Sequence, residues 1–213
     1  TFSANSRAVF FTGGNAQTVT SSTDPLFIDF LLIDKTLNDV VMNQNLDLPN
    51  NLTLTSGNLN LSSNTLSISG DIISTGGSII ANGPGSTLVF DDALTARTIE
   101  AGDLQNNEVT NLTFDESAGV TIDTDLKVGG IFDINVGAHS ISSTSVLDIA
   151  GGSLDVALGA GLTFKSDANG TAQLETIDQP TTINGDITVE RFIPAGTNTR
   201  RAYRLLTSAV NSI

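Results

Sequence analysis

Leu52-Thr-Leu-Thr-Ser-Gly-Asn-Leu-Asn-Leu-Ser-Ser-Asn-Thr-Leu-Ser-Ile-Ser-Gly70 holds three apolar pairs, Leu52/Leu54, Leu59/Leu61 and Leu66/Ile68, spaced by seven residues. Side chains alternate faces along a strand, so each pair is a minimal strand with one side buried. The Ser, Asn and Gly residues between the pairs are turn formers. Three short strands therefore fill about twenty residues, which is the length of one turn of a three-faced β-helix.

The pattern spreads outward from this stretch. Leu52 to Ile72, Leu59 to Ile79 and Leu66 to Leu88 are 20 to 22 residues apart. Leu112 to Ile134, Val120 to Ile141 and Leu126 to Leu147 fall in the same range. The sequence predicts an all-β chain: a parallel, three-faced β-solenoid, of the right-handed kind because strict hexapeptide repeats are missing. A longer register overlies it at an offset of 80, where Ala8-Val9-Phe10 matches Leu88-Val89-Phe90 and Ala16 to Val19 matches Ala96 to Ile99. Residues 1–165 are accordingly expected to be a solenoid of two blocks of about 80 residues. A β-sandwich is the rival, favoured by the turn dipeptides Asn82-Gly83, Asn169-Gly170 and Asn184-Gly185. In a solenoid these glycines are expected at corners with positive φ.

After Lys165 the spacing changes, and residues 166–190 read as an irregular last coil or cap. Ile187 to Pro194 reads as one stronger strand, and residues 191–213 as the start of a second, Arg-rich β module. Leu, Ile and Val must build the core, because aromatics are 5% of the chain and Trp is absent.

The net charge of −14 is uneven: all 23 acids lie at or before Glu190, alongside five bases, Arg7, Lys35, Arg97, Lys127 and Lys165. A polyanionic body repels nucleic acid and anionic lipid, so neither is an expected partner. Zero cysteines exclude disulfides and Cys-based zinc sites. The longest apolar run, Leu26 to Ile33, is interrupted by Asp29 and is too short for the ~20 residues of a membrane helix. Membrane insertion is not expected. The chain begins at Thr1, which reads as a processed or excised piece.

Two stretches resemble a known group. Phe11-Thr-Gly-Gly-Asn-Ala-Gln-Thr-Val-Thr20, Leu32-Ile-Asp-Lys-Thr36 and the Leu52–Gly70 repeat look like the repetitive region of large secreted proteins of Bacteroidetes-type bacteria. Gly185-Asp-Ile-Thr-Val-Glu-Arg-Phe-Ile-Pro194 with Arg200-Arg-Ala-Tyr-Arg-Leu-Leu206 is similar to the segment that follows such repeats. The resemblance implies secretion to the bacterial cell surface by a type IX route and an adhesin-like or stalk-like role. It implies surface glycans or other surface and secretion proteins as partners, and it carries over no catalytic residue and no cofactor.

Chemistry in the chain itself is sparse. His139, the only histidine, has no Ser, Cys or second His in pattern with it and reads as a surface or corner residue. No G-x-S-x-G elbow and no G-G-x-G-x-D calcium repeat occurs. Asp91-Asp92, Asp115-Glu116 and Asp123/Asp125 are acid pairs of the kind used in glycoside hydrolysis, with Asp123 and Asp125 expected on one strand face. Solvated corner charges are the plainer reading of all three. Phe90, Phe114, Phe132 and Phe164 fall in strand slots and are expected in the core, not on a sugar-binding platform. Thr18/Thr20 and Thr53/Thr55 suggest a hydroxyl array for ice or crystalline glycan, but they do not recur in each coil. Arg191, Arg200, Arg201 and Arg204 are the candidate partner contact, or else pair with acids of the last coil. The expected function is a non-catalytic spacer or adhesive segment. The alternatives are a β-helix that binds or cleaves polysaccharide, and a cargo fragment held by a type IX secretion apparatus.

Overall fold

The computed structural model describes residues 8–92, 95–149, 151–175 and 181–193. They form a parallel β-solenoid of eight coils and the first strand of a ninth, with no helix among the described residues. Coil one is β1 (Ala8–Gly13), β2 (Gln17–Val19) and β3 (Leu26–Phe27). Coil two is β4 (Phe30–Lys35), β5 (Val40–Met42) and β6 (Leu46–Leu48). In coil three the long β7 (Leu52–Asn60) serves two faces before β8 (Thr65–Ile68). Coil four is β9 (Ile72–Ser74), β10 (Gly77–Ala81) and β11 (Thr87–Asp91). Coil five is β12 (Arg97–Ile99), β13 (Leu104–Val109) and β14 (Asn111–Asp115). Coil six is β15 (Val120–Ile122), β16 (Leu126–Val128) and β17 (Ile131–Val136), and coil seven is β18 (Ala138–Ile141), β19 (Val146–Asp148) and β20 (Ser153–Val156). Coil eight is β21 (Gly161–Phe164), β22 (Gln173–Leu174) and β23 (Thr182–Asn184), and β24 (Ile187–Val189) opens the ninth. Nine levels about 4.8 Å apart make a rod of roughly 40 Å.

The second and third faces run as parallel ladders from the first coil to the eighth. The first face is paired from β1 to β9 and again from β12 to β24. Between β9 and β12 no ladder pair forms among the described residues. The decisive stretch behaves as its spacing predicts: Leu52 pairs with Ile72, Leu59 with Ile79 and Leu66 with Leu88. The inward members of nearly every pair are fully buried and make one continuous aliphatic column with an aromatic stack inside it. Phe90, Phe114 and Phe132 meet edge-to-face at centroid distances of 5.7 and 5.0 Å. Phe90, Phe114, Phe132 and Phe164 are all buried, as their strand slots require.

Asparagine explains how the corners hold. Oδ1 of Asn45, Asn51, Asn58 and Asn111 accepts the backbone N–H of Thr65, Asp71, Ser78 and Ile131 at 2.8 to 3.1 Å. Each bond reaches the next coil, so these side chains extend the inter-coil ladder where the backbone turns away. Asp125 does the same for Val146 N–H at 2.8 Å.

Three expectations are corrected. The 80-residue offset superimposes β1, on the first face, upon β11, on the third, so the block is not the structural repeat. Coil length varies from 19 residues (Thr121 to Ser140) to 29 (Ser153 to Thr182), and the insertions leave 80 residues one face short of four coils. Coil spacing also persists beyond Lys165: β22, β23 and β24 each add to a different face. Ile187–Val189 is thus a solenoid strand, and of the segment 191–213, read as the start of a second module, all but residues 191–193 lie outside the described residues. Of the three Asn-Gly glycines, only Gly185 takes a positive φ, 88°. Asn169-Gly170 turns a small loop closed by the antiparallel bridge Ser166–Thr171, so there the hairpin reading holds locally. Gly83 is needed for space, since a Cβ there would strike the carbonyl oxygen of Ser62.

Candidate functional site

The chemistry gathers on the first face, around its interruption. Inward positions there should be apolar, yet the column beyond the break reads Arg97, Val120, His139, Leu162, Ile187. Arg97 and His139 occupy core slots and are 4% and 2% exposed. Arg97 works as a staple at the corner between the third face and the first. One guanidinium nitrogen donates to the carbonyls of Ile68 and Gly70 at 2.6 and 2.7 Å. The other donates to the Asp91 carbonyl at 3.2 Å and pairs with the buried Glu116 carboxylate. The guanidinium carbon lies 4.9 Å from the centre of the Phe90 ring. Coils three, four and five are thereby tied through one side chain next to the missing ladder pair. Burial pushes the Glu116 carboxyl above its ordinary pKa, and Arg97 opposes that shift.

His139 is a buried structural residue, which corrects the expected surface placement. Nδ1 accepts Val120 N–H at 2.9 Å, and Nε2 lies 2.7 Å from the Val136 carbonyl, to which it must donate. Both ring nitrogens are occupied, and the ring packs 4.7 Å from Phe114. Burial depresses its pKa, so it stays neutral and cannot act as a general base towards solvent.

The acid pairs separate. Asp123 and Asp125 lie in the corner between β15 and β16, not on a strand, and open onto different grooves. Asp123 borders an open groove of about 490 Å³ with Asp167, Glu190 and Lys165, where Lys165 Nζ already holds Glu190 Oε1 at 2.9 Å. Asp91 stacks in register on Asp115, and burial and neighbouring acids raise its pKa while Ser69 opposes this. Glu116, read as a solvated corner charge, is instead 1% exposed. An unforeseen acid pair is Asp133 and Asp155, in register on the outward third face. Burial, and then the charge of Asp155, raises the Asp133 pKa. The Asn184 amide donates to Asp155 at 2.5 Å.

Arg191 is exposed, whereas Arg200, Arg201 and Arg204 lie outside the described residues. A hydroxyl array does exist, though not where the Thr-x-Thr stretches suggested. Thr98, Thr121, Ser140, Thr163 and Thr188 stand in register on the outward first face, one per coil for five coils. The signal for it was available as the middle residue of each Arg97–Ile99-type triplet. The same triplets, Arg97-x-Ile99 and His139-x-Ile141, also mark the two polar residues as inward.

The titrations have opposing signs. Asp47, Asp91, Asp103, Glu116 and Asp133 have pKa values raised chiefly by burial, so folding binds their protons more tightly. Stability from these groups grows as pH falls towards about 4 and is lost as pH rises through their folded values. Depressed His139 acts the other way, because the unfolded chain takes up a proton below about pH 6.5 and is favoured there. His139→Leu is therefore expected to make stability climb more steeply on acidification from pH 7 to 5 than in the parent chain. Urea unfolding across that range checks this, and parallel pH profiles would refute it.

Compared with family models, curated proteins and solved structures, the chain matches none.

Proposed function

We propose that this chain is a non-catalytic structural and adhesive segment of a secreted bacterial surface protein, a stacked-coil spacer that holds binding surfaces away from the cell. The observation that carries the reading is the pair of parallel ladders on the second and third faces, continuous over eight coils around one apolar core. Extending such a rod requires many backbone bonds to yield together. The only histidine is bonded through both nitrogens, which supports a structural use of its ring. The secreted, surface-exposed setting rests on the resemblance of Phe11–Thr20, Leu52–Gly70 and Gly185–Pro194 to Bacteroidetes-type repeat proteins. No helix of the described chain is long and apolar enough to cross a membrane.

One observation favours a second reading, cleavage of polysaccharide. Asp133 and Asp155 stand in register on neighbouring coils of the third face, and a pair of neighbouring carboxyls is what glycoside hydrolysis uses. Incubation with acidic and neutral polysaccharides, scored for polymer length, separates the two. The spacer reading expects no shortening. Shortening that disappears in Asp133→Asn/Asp155→Asn or Asp123→Asn/Asp125→Asn would make the chain an enzyme.

A further inference from the structure

The three faces hold coils four and five together unequally. The third face is intact there: β11 and β14 pair over five residues, from Thr87–Asn111 to Asp91–Asp115, and Phe90 meets Phe114 edge-to-face on its inner side. The second face is looser. β10 and β13 pair at Ile79–Leu104 and Ala81–Val109, on either side of a bulge in which Asn106 and Asn107 take positive φ, 58° and 53°. On the first face no ladder pair joins β9 to β12 among the described residues. Two open grooves lie on that side. One, of about 410 Å³, is lined by Ile73 and Ser74 of coil four and Thr98 of coil five. The other, of about 400 Å³, follows at the next corner, between Thr75 to Ser78 and Ala101-Gly102. Backbone bonding across the junction resumes where Ile79 N–H reaches the Asp103 carbonyl at 2.8 Å.

Coupling between the two coils is thus strongest along one face and weakest on the side away from it, which is how a hinge is built. Opening on the weak side also carries a local compensation. Arg97 Nε and Glu116 Oε1 are buried at this junction without a hydrogen-bond partner, and a wider joint lets water reach them. We infer that the rod is two rigid arms, coils one to four and coils five to nine, joined by a hinge that opens in one direction. The first-face side opens, and β11 on β14 forms the axis. Arg97 bounds the motion, since its guanidinium holds the Ile68 and Gly70 carbonyls on one side of the joint and Glu116 on the other. The hinge rests on the fold and not on the spacer function proposed above, but it gives a spacer a way to bend in one plane with both arms intact.

Distances between paired spin labels, measured by double electron–electron resonance, test it. The chain has no cysteine, so an introduced pair carries the only labels. Phe10→Cys/Thr188→Cys marks the outward first-face column across the break, eight levels or about 38 Å apart. Phe27→Cys/Asn184→Cys crosses the same junction in the outward third-face column, about 34 Å apart. Thr98→Cys/Thr188→Cys stays within the second arm, about 19 Å apart. All five side chains are exposed, and thermal unfolding by circular dichroism verifies that each variant is folded. The Phe10/Thr188 distribution is expected to be about twice as broad as the other two, with its added population at longer distances. A Phe10/Thr188 distribution as narrow as the Phe27/Asn184 one because both are narrow would show a rigid rod. Equal breadth in Phe27/Asn184 would show bending with no fixed axis, and equal breadth in Thr98/Thr188 would put the motion outside the joint. Each of these three results overturns the hinge, and each leaves the spacer reading to its own test.

Discussion

Glu116→Ala is expected to lower the unfolding free energy by about 3–5 kcal/mol, the cost of leaving one member of a buried ion pair without the other. Arg97 brings a guanidinium charge into this slot, and its side chain is 2% exposed. In the variant, the guanidinium would keep the carbonyls of Ile68, Gly70 and Asp91 and lose the Glu116 carboxylate that pairs with it. Those carbonyls are neutral dipoles and offset only part of the desolvated charge. The pair as a whole is a different matter. Arg97→Met/Glu116→Leu removes both charges and fills the slot with apolar atoms, so its stability is expected to lie near that of the parent chain or above it. Urea unfolding of the parent, the two single variants and the double variant closes the cycle. A double variant as weak as Glu116→Ala would show that the backbone bonds of Arg97 matter more than its charge pairing. The staple also sits beside the unpaired stretch of the first face. Glu116→Ala should therefore speed amide exchange first in β9 and β12, before the second and third faces.

Phe114→Ala should have an effect of the same size, about 3–5 kcal/mol, through packing alone. The ring is fully buried and touches Phe90 above, Phe132 below and the His139 imidazole beside it. Truncation removes two edge-to-face contacts and opens a cavity whose walls are parts of three coils. Backbone ladders on the third face hold those coils at a fixed spacing, so the walls have little freedom to collapse inward. Phe114→Leu keeps most of the volume and should cost clearly less. In a solenoid each coil contacts only its neighbours, so the damage should centre on β11, β14 and β17. Chemical denaturation measures the loss and hydrogen exchange locates it. A cost below about 1 kcal/mol for Phe114→Ala would mean that the stack is looser than its geometry indicates.

The architecture was legible because its cause is local. Each coil needs its own buried pairs, so Leu52/Leu54, Leu59/Leu61 and Leu66/Ile68 show the period within one turn, and Asn and Gly mark the corners. The abundance of Asn has the same source, since a short amide at a corner reaches the next coil's N–H. Registers that rest on unequal insertions are not local, which is why the 80-residue offset misled. Matching residues can lie on different faces once corners lengthen unequally.

By itself, then, the sequence determined an all-β solenoid of about twenty residues per coil with Phe90, Phe114, Phe132 and Phe164 in its core, because alternation and turn chemistry act within a few residues. Tertiary structure alone decided that the first face breaks between β9 and β12 and that Arg97 meets Glu116 there across the coils. It alone placed His139 in the core and aligned Thr98, Thr121, Ser140, Thr163 and Thr188 into one column. Those partners lie 19 to 29 residues apart in the chain, and only stacking brings them together.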